Sequence, residues 1–161
     1  MKIESTSANG NFEIKNNGKK LLELIYSNWF ASNAQTSFNS INIEIKPKSI
    51  WQNKFDILKN GINKGDISFN WKGNVIIKLE NENKVQNQYL LKAIGFWKLG
   101  FELIDEKENK ILFLKPNFNW KKVNYNYEVE LNDQEENKEL IELLIYSGFG
   151  ANLYMTMMMA G

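Results

Sequence analysis

From Leu143 to Gly161 the chain carries no charged side chain. Leu143, Leu144, Ile145, Tyr146, Phe149, Leu153, Tyr154, Met155, Met157, Met158 and Met159 fall on every face of a helix of 3.6-residue period. A helix that is apolar all round has to be enclosed, either in a large core or in a bilayer. No other feature constrains the rest of the chain as strongly. The stretch opens Asn132-Asp133-Gln134-Glu135-Glu136. There Asp133 as N-cap and Glu136 three residues later fit a capping box, and acids in a first turn suit the positive end of the helix dipole. The sequence predicts a helix over 133–160.

Period-2 alternation fills most of what precedes it. The clearest runs are Ile41/Ile43/Ile45, Ile67/Phe69/Trp71 and Val123/Tyr125/Tyr127/Val129/Leu131, each interleaved with polar residues. Such a pattern puts one strand face inside and one in water. Asn11–Lys15, Leu21–Tyr26, Lys54–Leu58, Val75–Glu80, Gln88–Ala93, Gly100–Ile104 and Lys110–Lys115 are strand-like as well, and Ala31–Asn39 reads as a loop with a strand fragment. Asn16-Asn17-Gly18, Asn60-Gly61, Lys64-Gly65-Asp66 and Lys72-Gly73-Asn74 supply hairpin turns, since Asn and Gly tolerate positive φ. No composition break marks a linker, so residues 1–161 form one domain, with strands over about 11–131. About 10–12 short antiparallel strands close into a barrel too wide for side chains alone to fill. The fold expected is therefore mainly β, a closed antiparallel barrel with the hydrophobic C-terminal helix through its centre. Gly148, Gly150 and Ala151 would let that helix approach the wall, and the methionines from Met155 to Met159 would fill irregular space. The competing reading is a tail anchor, because the uncharged stretch, at about 1.5 Å per residue, crosses most of a bilayer core. Ser147, Asn152, Thr156 and the glycines stand against it, and no transmembrane span is expected.

Composition removes several function classes. Formal net charge is +1 and every basic residue is lysine, so neither bulk charge nor the bidentate arginine fork favours nucleic acid. Cysteine and histidine are absent, which removes thiol chemistry, thiolate metal sites, the commonest general base and the commonest metal ligand. Glu44, Glu102, Glu128 and Glu130 alternate with apolar residues and read as water-facing, not as a catalytic pair. Asp105-Glu106-Lys107-Glu108-Asn109 lacks calcium-loop spacing, and no phosphate-binding loop is present. The sequence names no catalytic residue, metal ligand or cofactor-binding residue, and a non-enzymatic protein is expected. No apolar run follows Lys2, so a cytoplasmic location without a signal peptide is the expectation.

Three segments share a lysine followed five residues later by tryptophan: Lys46 to Trp51, Lys92 to Trp97 and Lys115 to Trp120. They suggest a repeated strand–corner–strand unit in which proline ends a strand and a large ring plugs the corner. The run Tyr89-Leu90-Leu91-Lys92-Ala93-Ile94-Gly95-Phe96-Trp97, then Phe101-Glu102-Leu103-Ile104-Asp105, then Ile111-Leu112-Phe113-Leu114-Lys115 resembles the repeated unit of the tubby C-terminal-like superfamily. It is similar above all to the LURP-one-related branch, which includes phospholipid scramblases. The resemblance covers Asn11 to Gly161 and implies a twelve-stranded barrel around a central C-terminal helix. It does not carry over the phosphoinositide pocket, whose Lys/Arg pairs have no arginine to match here, nor the scramblases' acidic calcium stretch. If the corners share one barrel end, Lys46, Lys48, Lys92, Lys115, Lys121 and Lys122 form a basic rim beside Trp51, Trp97 and Trp120, suited to anionic headgroups. The function expected is a soluble binding or scaffold module for a phospholipid headgroup or a protein partner. A lipocalin-like carrier of a small apolar ligand is the alternative.

Overall fold

The computed structural model describes residues 1–28, 33–49, 53–95, 99–132 and 137–159, apart from the side chains of Asn28 and Met159. Twelve strands precede one helix: β1 (Lys2–Ser5), β2 (Phe12–Asn16), β3 (Lys19–Asn28), β4 (Asn33–Phe38), β5 (Ile41–Pro47), β6 (Lys54–Lys59), β7 (Ile62–Phe69), β8 (Val75–Glu80), β9 (Gln86–Ile94), β10 (Gly100–Ile104), β11 (Lys110–Asn119), β12 (Asn124–Leu131) and α1 (Lys138–Met159). Each strand pairs antiparallel with the next, and β1 pairs with β12 to close the barrel. The alternation read from the sequence is the pleat itself: Ile43 and Ile45, Val75, Ile77 and Leu79, and Tyr127 and Val129 point inward.

Helix α1 fills the bore. Leu140 to Asn152 are all buried, which covers more than three full turns and therefore every face. Its neighbours come from around the whole wall. Glu139 and Glu142 meet Tyr89 of β9 and Lys59 of β6, and a Cβ on Gly148 would lie 2.8 Å from the Phe12 ring of β2. Farther along, Phe149 stacks on Tyr26 of β3 at 5.7 Å and meets Phe55 of β6 edge-on at 5.2 Å, and Tyr154 meets Phe101 of β10. Burying each such large apolar side chain contributes roughly 1.5–3 kcal/mol. A side chain on Gly148 would have to push the Phe12 ring and the Ile3 tip aside. Polar pins set the depth of insertion: Tyr127 donates to Asn152 Oδ1 at 3.0 Å, and the Asn152 amide donates to the Gly10 carbonyl. Burial pushes the Tyr127 and Tyr146 hydroxyls well above the usual phenol range. No helix among the described residues is long and apolar enough to cross a membrane, so the enclosure that this helix requires is the barrel.

Several expectations are corrected. β1 lies ahead of the predicted strand region, and β4 is a full strand where a loop with a strand fragment was expected. Trp71 is not the inward continuation of Ile67 and Phe69: β7 ends at Phe69, and Trp71 sits in the following turn. Val123 likewise precedes β12 in a turn. Prolines do not end both strands as supposed, because Pro116 lies inside β11. It is tolerated there because β10 pairs with β11 only as far as Leu114, so the proline nitrogen faces no β10 carbonyl. Helix α1 begins at Lys138 and is capped by Asn137, whose Oδ1 accepts the Leu140 amide at 2.9 Å. The proposed capping box at Asp133 and Glu136 lies outside the described residues.

Candidate binding surface

Parity assigns the loops to ends. In a closed antiparallel barrel of twelve strands, the connections β1–β2, β3–β4, β5–β6, β7–β8, β9–β10 and β11–β12 all lie at one end. The other connections lie opposite, together with the entry of α1. Glu139 and Glu142 mark the helix entry end, whereas Asn152 reaches the Gly10 loop at the exit end.

Tryptophan follows this division completely. Among the described residues, Trp71 and Trp120 both lie in exit-end connections, and no tryptophan lies in an entry-end connection. Charge divides the same way. Among the described residues, exit-end connections contain Lys48, Lys72, Lys121 and Lys122 and no acid, whereas entry-end connections contain the four acids Glu82, Asp105, Glu106 and Glu108 against Lys84 and Lys107. Trp51 and Trp97 of the predicted rim, with Trp29 and Lys98, lie outside the described residues.

Trp71 and Trp120 are 90% and 84% exposed, so neither plugs a corner. Both stand in the tripeptide Asn-Trp-Lys, and its asparagine explains their position. Asn70 Oδ1 accepts the amides of Lys72 and Asn74, and Asn119 Oδ1 accepts those of Lys121 and Lys122. This side-chain turn leaves the residue after the asparagine at the tip, facing away from the sheet. Lys72 Nζ lies over the Trp71 ring, 5.1 Å from its centre. Trp120 leans edge-on against Phe118 at 4.8 Å, and Phe118 against Tyr125 at 5.1 Å. The tip belongs to a projecting hairpin, since Pro116–Asn119 pair with β12 and, among the described residues, with nothing on the β10 side. Val123, in the same turn, is 68% exposed and has φ +50°. A β-branched residue in the left-handed region costs roughly 1–2 kcal/mol that glycine or asparagine would avoid. No folding gain offsets this, because the side chain is in water. Met157 and Met158 are also exposed, where α1 leaves the bore.

The predicted lysines divide into two groups. Lys48, Lys121 and Lys122 are at the exit end, and the last two make no ion pair among the described residues. Lys48 lies 3.9 Å from Asp56. Lys46, Lys92 and Lys115 stand on the barrel wall: Lys46 pairs with Glu44 at 3.0 Å, and Lys92 and Lys115 sit opposite Glu102 and Glu128 in register. Trp71 and Lys72 were missed. The signal was present as a tryptophan every 20 to 26 residues, the length of two strands and their turns.

At the entry end a cleft of about 420 Å³ lies between the β8–β9 and β10–β11 sides and the start of α1. Its polar groups are already engaged. Tyr89 donates to Glu139 at 2.9 Å, Glu106 accepts the Gln88 amide, and Asp105 accepts from Lys107 and Asn109. Burial, reinforced by Glu139, pushes the Tyr89 hydroxyl up to about 12, and the Asn109 hydrogen bond holds Asp105 below the usual carboxylate range. Among the described residues no group of three or more acids is placed to hold a metal ion. Comparison with protein-family models, curated proteins and solved structures finds no match to the chain.

Proposed function

We propose that the barrel is a non-enzymatic binding module, of the tubby-like kind, whose contact face is the helix exit end. The observation that carries this reading is the placement of Trp71 and Trp120 on exposed turn tips, each followed by lysine, at an end whose connections contain no acid among the described residues. Exposed apolar groups of this size mark interaction surfaces, and the adjoining lysines select an anionic partner. The twelve strands and central helix agree with what the tubby-like resemblance implies. A carrier of a small apolar ligand is disfavoured, because the bore is occupied by Leu140 to Asn152. A cytoplasmic location is consistent with an anionic partner, since the cytoplasmic leaflet carries the anionic lipids.

Co-sedimentation tests the reading. The protein is expected to pellet with anionic vesicles at low salt and to stay in solution with neutral ones. Lys121→Glu with Lys122→Glu is expected to lower the anionic affinity by ten-fold or more, at about 1 kcal/mol per charge near the surface. Equal behaviour toward both vesicle types would remove the headgroup reading.

A further inference from the structure

Resting on that binding reading, we infer that the exit end seats on the interfacial layer of an anionic bilayer, with the barrel axis along the membrane normal. Trp71 and Trp120 enter the layer, and Lys72, Lys121 and Lys122 meet the lipid phosphates.

Three points fix the orientation. The β7–β8 and β11–β12 turns are four strands apart in a ring of twelve, a third of the way round the rim. Met157 and Met158 emerge where α1 leaves the bore, on the barrel axis. Two apolar tips on the rim and one where the helix emerges spread the exposed apolar groups across the exit face. A flat, extended partner meets all three, whereas a protein hot spot gathers its anchors at one well-packed centre. The Trp-Lys order fits the layering of a bilayer surface, where indole rings sit at headgroup level and lysine reaches the phosphates. The wall offers a sideways approach fewer unpaired lysines. It carries ion pairs such as Lys15 with Glu4 and Glu13, Lys20 with Glu23, and Lys64 with Glu80. The acidic entry end is repelled by the same surface, so the charge division turns the exit end toward it.

Val123 and Trp120 share the tip of the projecting hairpin. The strained φ of Val123 is retained, on this account, because its isopropyl group enters the interface beside the ring.

The test is quenching of tryptophan fluorescence in the full chain by vesicles of phosphatidylcholine and phosphatidylserine brominated at a shallow acyl position. Shallow bromine is expected to quench the wild type, and Trp71→Phe with Trp120→Phe to lose part of the quenchable signal. Trp71→Ala and Trp120→Ala are each expected to weaken vesicle affinity roughly ten-fold. Free glycerophosphoserine is expected not to displace the protein from vesicles. Pelleting with anionic vesicles without quenching would overturn the seating and leave the binding module standing, and displacement by the free headgroup would do the same. Absence of any vesicle association would overturn the seating and the headgroup reading together, and leave a protein as the partner of the exit end.

Discussion

The two ends of this barrel are built from the same turn and tipped with opposite chemistry. At the exit end, Asn70 accepts the amides two and four residues on, and Gly73 returns its amide to the Asn70 carbonyl at positive φ. At the entry end, Asn81 and Asp105 make the same bonds, with Lys84 and Glu108 in the positive-φ position. The residue at the tip is Trp71 in the first case, and Glu82 and Glu106 in the others. The turn itself is served equally by all three, because its bonds come from the Asx side chain and the backbone, although Glu106 also accepts the Gln88 amide across the strands. The tip is therefore free to record what each end faces. A solvated end takes glutamate, and tryptophan in water makes sense only where something apolar covers it.

Exchanging the tips breaks the comparison most directly. Trp71→Glu with Trp120→Glu is expected to lower affinity for anionic vesicles by at least 100-fold, two rings' worth of roughly ten-fold each. Its melting temperature should fall by no more than about 4 °C, the Trp120–Phe118 contact being the main loss. The reciprocal Glu82→Trp with Glu106→Trp is expected to leave the entry end inert toward the same vesicles, because Asp105 and Glu108 remain. Vesicle binding through that end would show that rings alone suffice.

A smaller effect separates folding from contact within one hairpin. Val123→Gly relieves the left-handed strain and is expected to raise the melting temperature by about 2–4 °C, while weakening vesicle binding several-fold. A variant that is both less stable and equally tight would contradict the role given to Val123.

The smallest effect belongs to the entry end. Tyr89 titrates near 12 in the fold against about 10 unfolded, so the fold favours its protonated form. That stabilisation is complete below pH 10 and is lost as pH rises through 12. Tyr89→Phe is expected to be weaker by about 1 kcal/mol at pH 7, from the lost bond to Glu139, and to decline less steeply above pH 10. Chemical denaturation at pH 7, 9 and 11 reads both, and an unchanged alkaline slope would remove the titration of the buried Tyr89 hydroxyl as a contributor.

Much of the architecture could be read in advance because it depends on periodicities. The inward isoleucines of β5, the long run in β12 and the all-apolar helix each follow from a face that must be covered. What periodicity cannot see is where a ladder stops. Ile67, Phe69 and Trp71 alternate perfectly, yet Asn70 ends the strand by turning its side chain onto Lys72 and Asn74, and this carries Trp71 out of the core pattern. The assignment of loops to ends was harder still. It depends on parity, and parity needs every strand. β1 has four residues, and β4, Asn-Ala-Gln-Thr-Ser-Phe, buries just Ala34 and Thr36, too weak a hydrophobic signal to be counted. Lysines paired across strands, such as Lys92 with Glu102, look in sequence like those at a turn tip, because the distinction lies in the partner strand.

Because the strand count is even, Met1 and the start of α1 share one end, and the last helical turn emerges at the other. On the proposed seating, anything fused after Gly161, whether a fluorescent protein or an affinity tag, would be wedged between the barrel and the bilayer. The same cargo attached ahead of Met1 would trail from the remote pole, so the choice of terminus for labelling is itself a readout of which way the molecule stands.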